Sequence, residues 1–366
     1  MRILIAGDWR SELHEEAVYR GLIQLGYSPA RFSWHQYFKV ENGIAWMLLP
    51  LLKAQNKYMI GPLVDRLNRD LISAAAEQQP EMIFFYRGTH IYPETLRELR
   101  KVAPDAILVG YNNDDPFSPN YPKWKWRHFL ACVPEYDLVL AYRHHNIQEF
   151  EKVGAKRVDL LRSWFIPERN FPVELSKDEQ VEFGSDVVFI GHYEDDGRLQ
   201  YLEEIVRQGW HLRIFGPDYE WDSVLRSSTL LRKHAPTRMV WGLDYNRALC
   251  GAKVALCFFS KLNRDTYTRR CFEIPASGTV LFSQFSGDLA SLFAPDQEAV
   301  FFRNIGDMNE RLEWLLSDDV ARKKIASAGT KRLWQDGHDV VSRISTLIKR
   351  VGEIKGDLSG DVAFND

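Results

Sequence analysis

Residues 269–278, RRCFEIPASG, place Arg270 and Glu273 three positions apart in an otherwise apolar run that ends in glycine. On a helix that spacing puts guanidinium and carboxylate on one face. The preceding loop and the helix N-terminus add backbone N–H groups suited to an anion. Such a set fits a nucleoside diphosphate. Arg270 and backbone N–H groups would meet the phosphates, and the two oxygens of Glu273 would accept both hydroxyls of a ribose. Asp265, eight residues before Glu273, would reach the rest of the ligand, with Lys261 and Asn263 of the same loop beside it. The plain alternative is a surface ion pair contributing a few tenths of a kcal/mol. Pro275 should kink or shorten the helix in either case.

Further groups lie where strands should end. In YNNDDPF (111–117) Asp114 and Asp115 follow an apolar run, and a carboxylate there can act as a general base on a hydroxyl. Asn, Asp and Pro also make an ordinary turn. Of the pair, Asp114 is the candidate base, because Asp115 precedes proline and is held in the turn. His90 in RGTH (87–90) is the rival base. In AGDWR (6–10) Gly7 allows close approach of backbone to a ligand and Asp8 points out at the same sheet edge. No GxGxxG accompanies it, so a dinucleotide site is not indicated. FIGHY (189–193) repeats the arrangement, with Gly191 and His192 placed against a phosphate or sugar, or with a merely structural histidine. YPKWKWRHF (121–129) offers Trp124 and Trp126 for sugar stacking in an acceptor groove, its cations for anionic head groups, or an exposed helix with its tryptophans packed down. The pair at 144–145, HH, has no partner at metal spacing and marks a loop, and the four cysteines show no zinc spacing. No metal site is expected.

These groups need a scaffold of 366 residues, long enough for two domains, with a net charge of −3 that gives no reason to expect nucleic-acid binding. Apolar strands at 1–7, 81–88, 105–111 and 136–142 alternate with helical stretches at 11–27, 52–78 and 93–104. The pattern restarts with strands at 186–193, 212–216, 254–259 and 279–285, with helical stretches at 198–210, 266–277 and 307–350. The expected fold is α/β, two doubly wound Rossmann-like parallel sheets, with ligands beyond the carboxyl ends of the strands. The first domain spans 1–165, a linker 166–185, the second domain 186–336, a C-terminal helix 337–355 and a disordered tail 356–366. MRILIAGDW reads as a strand rather than a signal peptide. GIAWMLLPLL (43–52) is too short to cross a bilayer, so a cytoplasmic protein is expected, with contact to a membrane surface left open.

The segment LNRDTYTRRCFEIPASGTVLFSQFSGDLASLF (262–293) resembles the C-terminal signature of CgeB-like glycosyltransferases, the spore-maturation protein family, through Arg270, Phe272, Glu273, Ala276 and Gly278. The likeness continues through 298–304, 311–333 and 337–343, and YNNDDPF resembles that family's Asp-Asp-Pro segment. The resemblance implies a GT-B architecture, two domains facing a central cleft, with a nucleotide-sugar donor held by the second domain and the acceptor by the first. It implies metal-independent transfer to a carbohydrate, protein or lipid-linked acceptor, the nucleotide-sugar being a substrate (a UDP-sugar favoured) and no cofactor being required. Relatives often carry glutamate at both ends of a Glu-x7-Glu pattern, and here the first position is Asp265, one methylene shorter. The C-terminal helix would cross back to the first domain. Two other readings stand beside transfer: a nucleotide-sugar epimerase on the same fold, and a non-catalytic nucleotide- or sugar-binding protein.

Overall fold

A computed structural model divides the chain into two compact units, residues 1–162 with 340–366, and residues 163–339. The structure describes residues 1–39 and 48–362, so part of the apolar stretch 43–52 lies outside the described residues. Among the described helices none is long and apolar enough to cross a membrane.

The first unit holds β1 (Ile3–Gly7), β2 (Ala30–Ser33), β3 (Met82–Tyr86), β4 (Ile107–Asn112), β5 (Leu138–Ala141) and β6 (Val158–Leu160). They form one parallel sheet in the order β2-β1-β3-β4-β5-β6. Every residue of β1, β3, β4 and β5 is buried, as parallel strands covered on both faces must be, and their sequences are accordingly continuous apolar runs. The second unit holds β7 (Ser185–Ile190), β8 (Leu212–Phe215), β9 (Ala252–Cys257), β10 (Val280–Gln284) and β11 (Val300–Phe302). These also run parallel, in the order β11-β10-β9-β7-β8. Each unit has its own apolar core.

Both strand orders contain a point where the winding reverses. The chain leaves β1 for β2 on one side and returns to β3 on the other; it leaves β7 for β8 and returns to β9. Loops diverge at such points beyond the carboxyl ends of the strands and leave a crevice. The loops after β1 and β3 carry Asp8 and His90, and those after β7 and β9 carry Gly191 and the 258–270 segment.

Several boundaries differ from the sequence reading. Residues 166–185 fall within the second unit and contain a helix, Lys177–Phe183, begun by a capping box of Ser176 and Glu179. Seven residues make barely two turns, too few to display a helical period. The helical region 52–78 is two helices, Leu49–Tyr58 and Pro62–Gln78, separated by Met59 and Gly61 at positive φ. β2, β6 and β11, of four, three and three residues, carry too little pattern to be read as strands. The C-terminal helix, Val340–Val362, belongs to the first unit. It packs on the helix Glu15–Gln24 and is fastened by ion pairs from Arg350 to Asp159 (2.7 Å) and from Lys355 to Glu81 (2.8 Å). Residues 356–362, read from sequence as disordered tail, continue that helix, while 363–366 lie outside the described residues.

Candidate active site

At the switch point of the first sheet a pocket of about 130 Å³ is lined by groups from the loops after β1, β3 and β4 and from 125–126. The expected residues Asp8, His90, Asp114 and Trp126 all line it, and Trp124 is not among them. Trp126 is buried and meets Tyr121 edge to face at 5.6 Å, whereas Trp124 packs on Tyr58 at 5.3 Å. The helix in this region begins only at Arg127, so 121–126 is not the exposed helix that the alternation of cations and tryptophans suggests.

The pocket also contains a residue the sequence reading did not single out. Glu15, the first residue of the helix Glu15–Gln24, is 1% exposed. Its Oε1 accepts the Asp8 N–H at 3.0 Å. Its Oε2 is buried with no donor among the described residues. Burial, followed by the charge of Asp8, pushes its pKa up to about 7. Gly7, read from sequence as making room for a ligand, makes room for this side chain instead: an added Cβ would lie 2.3 Å from Glu15 Cγ and Oε1. Gly7→Ala is therefore expected to expel Glu15 and lower the urea midpoint, at a cost of about 1–3 kcal/mol; an unchanged midpoint would show that the site accommodates the methyl group.

The two candidate bases are differently placed. Asp114 pairs with Arg87 at 3.4 Å. His90 is 7% exposed, with Nδ1 at 2.9 Å from Thr89 Oγ1 and Nε2 at 3.0 Å from Asn56 Oδ1. Burial draws the His90 pKa down to about 4, so its imidazole is neutral near pH 7. Trp9 and Arg87 follow β1 and β3 with φ of 58° and 67°. Bulky residues seldom occupy the left-handed region, and such strain collects at functional sites.

In the second unit the helix starts at Arg270 and ends at Ala276, four residues shorter at its N-terminus than the reading 266–277. The N–H groups of Cys271, Phe272 and Glu273 donate to the carbonyls of Thr268 and Arg269, so the expected open helix N-terminus is already occupied. Pro275 is tolerated because the helix has nearly ended; Gly278 follows at φ 77°, its N–H donating to the Pro275 carbonyl at 3.0 Å. Glu273 is buried, and Tyr245 Oη donates to its Oε2 at 2.8 Å. A surface ion pair with Arg270 is thereby replaced by a carboxylate fixed from the side. Arg270 lies against Gly191, where an added Cβ would sit 2.9 Å from Arg270 Nη1. Arg270 Nε and Arg269 Nη1 are buried N–H donors with no acceptor among the described residues. A buried donor left unpaired costs about 1–3 kcal/mol.

The remaining loop residues have protein partners. Lys261 Nζ donates to the Asp196 carbonyl at 2.6 Å, and the Asp265 N–H donates to the Ser260 carbonyl at 2.9 Å. The Asn263 N–H donates to Ser260 Oγ at 3.3 Å. His192 is exposed and bonds Glu220 through Nδ1 at 3.0 Å, and the Gly191 carbonyl accepts Trp221 Nε1 at 2.8 Å.

Residues 198–349 match the family model described as Glycosyl transferase-like. The matched residues make up most of the second unit and the start of the C-terminal helix. The two parallel-sheet α/β units match the domains of solved glycosyltransferases of the GT-B fold. Anabaena HepE in complex with UDP and glucose is 12% identical, with 96% of this chain and 100% of that chain covered at a TM-score of 0.67. Sucrose-phosphate synthase from Thermosynechococcus elongatus is 10% identical, covering 96% and 99% at 0.66. The α,α-trehalose 6-phosphate synthase of Burkholderia multivorans is 12% identical, covering 98% and 99% at 0.61. No protein of curated function matches the chain by sequence.

The first unit has one further cluster that the sequence reading dismissed. His144 and His145 open the helix His144–Lys152 rather than a loop. His145 Nε2 lies 3.3 Å from Asp115 Oδ2, and Glu149 completes a group of metal-ligand type. Asn146 Nδ2 donates to both Asp115 Oδ1 (3.0 Å) and Glu149 Oε2 (2.8 Å), so the amide already joins the two carboxylates. Asp115 also accepts the Phe117 N–H at 3.0 Å, as a turn residue does.

Proposed function

We propose that this protein is a glycosyltransferase that moves a sugar from a nucleoside-diphosphate sugar to an acceptor hydroxyl, the second unit binding the donor and the first the acceptor. The observation that carries the reading is the pair of buried, unpartnered guanidinium N–H groups on Arg269 and Arg270 at the switch point of the second sheet. A diphosphate supplies the acceptors they lack. As the bond to the sugar breaks, fixed guanidinium groups stabilise the growing negative charge without reorganising, which supports metal-independent transfer. Glu273, oriented by Tyr245, has Oε1 and the remaining lone pairs available to the ribose hydroxyls.

Uracil is favoured as the donor base because HepE was solved with UDP-glucose. The likeness of 262–293 to CgeB-like enzymes supports placing the protein in that group, and four unbridged cysteines fit a reducing cytoplasm.

A thermal-shift panel of UDP, GDP, dTDP, ADP and CDP, with and without Mg²⁺, tests this. One nucleotide at a hundred times its Kd should add about 2.7 kcal/mol of stability, and Glu273→Ala should remove most of the effect. No response from any of the five, in folded protein, would overturn the reading. Conversion of the donor without transfer to any acceptor would favour an epimerase.

A further inference from the structure

We propose that the pocket at the switch point of the first sheet holds the polyhydroxyl end of a sugar acceptor and that Glu15 is the group that takes the proton from its reacting hydroxyl. The proposal rests on the transferase reading above and adds the acceptor class and the base.

The geometry singles out Glu15 among the carboxylates. Asp8 Oδ1 accepts the Arg10 N–H at 2.9 Å, and Asp114 is engaged by Arg87. Glu15 is among the residues lining the pocket; its Oε1 takes the Asp8 N–H, and its Oε2 is buried without a donor among the described residues. A hydroxyl group entering the pocket supplies that donor. The chain has given up a side chain at position 7 to seat this carboxyl. The rest of the lining mixes the aromatic residues Trp34, Tyr86 and Trp126 with the polar Asn56 and Thr89, a composition that suits a sugar.

Charged groups facing Glu15 come from several elements. Asp8 raises its pKa and Arg87 lowers it. Arg10, Lys125 and Asp114 line the same pocket. Burial lowers the pKa of His35 and draws that of His90 down to about 4, so the His90 imidazole is neutral near pH 7. A base with a pKa near 7 is about half unprotonated at neutral pH and takes a proton more readily than an ordinary carboxylate.

The step balances within the two substrates. The acceptor O–H bond breaks toward Glu15 and the acceptor oxygen bonds the anomeric carbon. The anomeric bond to the diphosphate breaks, its electron pair leaving with the diphosphate.

The test uses the full chain with UDP-glucose as donor and glucose, N-acetylglucosamine and glycerol as acceptor probes, reading UDP release from pH 5.5 to 9. Wild-type turnover should climb to a plateau above pH 7. Glu15→Gln should lower the plateau by about 10²-fold or more and abolish that limb, while the UDP thermal shift stays as in wild type. Glu15→Asp should retain the limb at reduced rate. Wild-type turnover and pH profile in Glu15→Gln would overturn the assignment. So would a wild type that binds UDP and turns over none of the three acceptors. Absence of any nucleotide shift in wild type would instead sink the donor reading. Carbon-13 labelling of glutamate carboxyls then decides Glu15 separately: the proposal requires one resonance that titrates near pH 7, moves with added glucose and is missing in Glu15→Gln. A Glu15 signal indifferent to all three acceptor probes contradicts it.

Discussion

Arg270→Met should weaken UDP binding by roughly 10²-fold, since hydrogen bonds to charged groups contribute about 1.5–3 kcal/mol each. It should also cost stability. Glu273 is 6% exposed and has Tyr245 as its hydrogen-bond partner, so removing the neighbouring guanidinium leaves a buried carboxylate short of compensating charge. Arg270 acts on that carboxylate through its charge rather than through a direct ion pair, so the cost should be about 1–3 kcal/mol. Arg270→Lys separates the two effects. It keeps the charge and therefore most of the stability, but loses the planar fork that meets a phosphate at two points. Titration calorimetry with UDP and urea unfolding of both variants measure the pair. Nucleotide affinity unchanged in both would remove Arg270 from the donor site.

The second large effect concerns pH. Glu15 has a folded pKa of about 7 against an ordinary 4.5, burial being the main cause. The folded state therefore holds this proton more tightly than the unfolded chain. Stability linked to Glu15 is fully present below pH 4.5, falls as pH rises to 7, and stays lost above it. A shift of this size corresponds to about 3 kcal/mol. Glutamine at position 15 carries no such proton, so the stability of Glu15→Gln relative to wild type should rise by about 3 kcal/mol between pH 4.5 and pH 8. Urea midpoints across that range report the difference, in which the other titrating groups cancel. A flat difference would mean that Glu15 titrates as an ordinary carboxylate.

The parallel sheets were legible in the sequence because buried strands such as MIFFY and ILVGYN are unbroken apolar runs. Their alternation with helical stretches leaves few arrangements of the chain. Sequence position alone brings Asp8, His90 and Asp114 to strand ends, and the strand order then gathers them around one pocket. What spacing could not show is which way a side chain folds. Glu15 looks like one more acidic residue in the first turn of an amphipathic helix, and only Gly7, eight residues earlier, hints at its inward turn. Tyr245 reaches Glu273 across 28 residues, a contact without a local signature. The open helix N-terminus expected near Arg270 failed for a local reason: Thr268 and Arg269 turn early and offer their carbonyls to the first N–H groups. On the proposed reading the anion is met by the guanidinium groups of Arg269 and Arg270, whose Nη1 and Nε are buried without acceptors among the described residues.

Hydrogen–deuterium exchange with and without saturating UDP tests most directly whether the second unit is the donor site. Protection should appear in peptides covering 189–193 and 258–278 and be much reduced in Glu273→Ala. Protection confined to the first unit, or none at 258–278 despite saturation, would contradict the assignment of Arg269, Arg270 and Glu273 to the nucleotide.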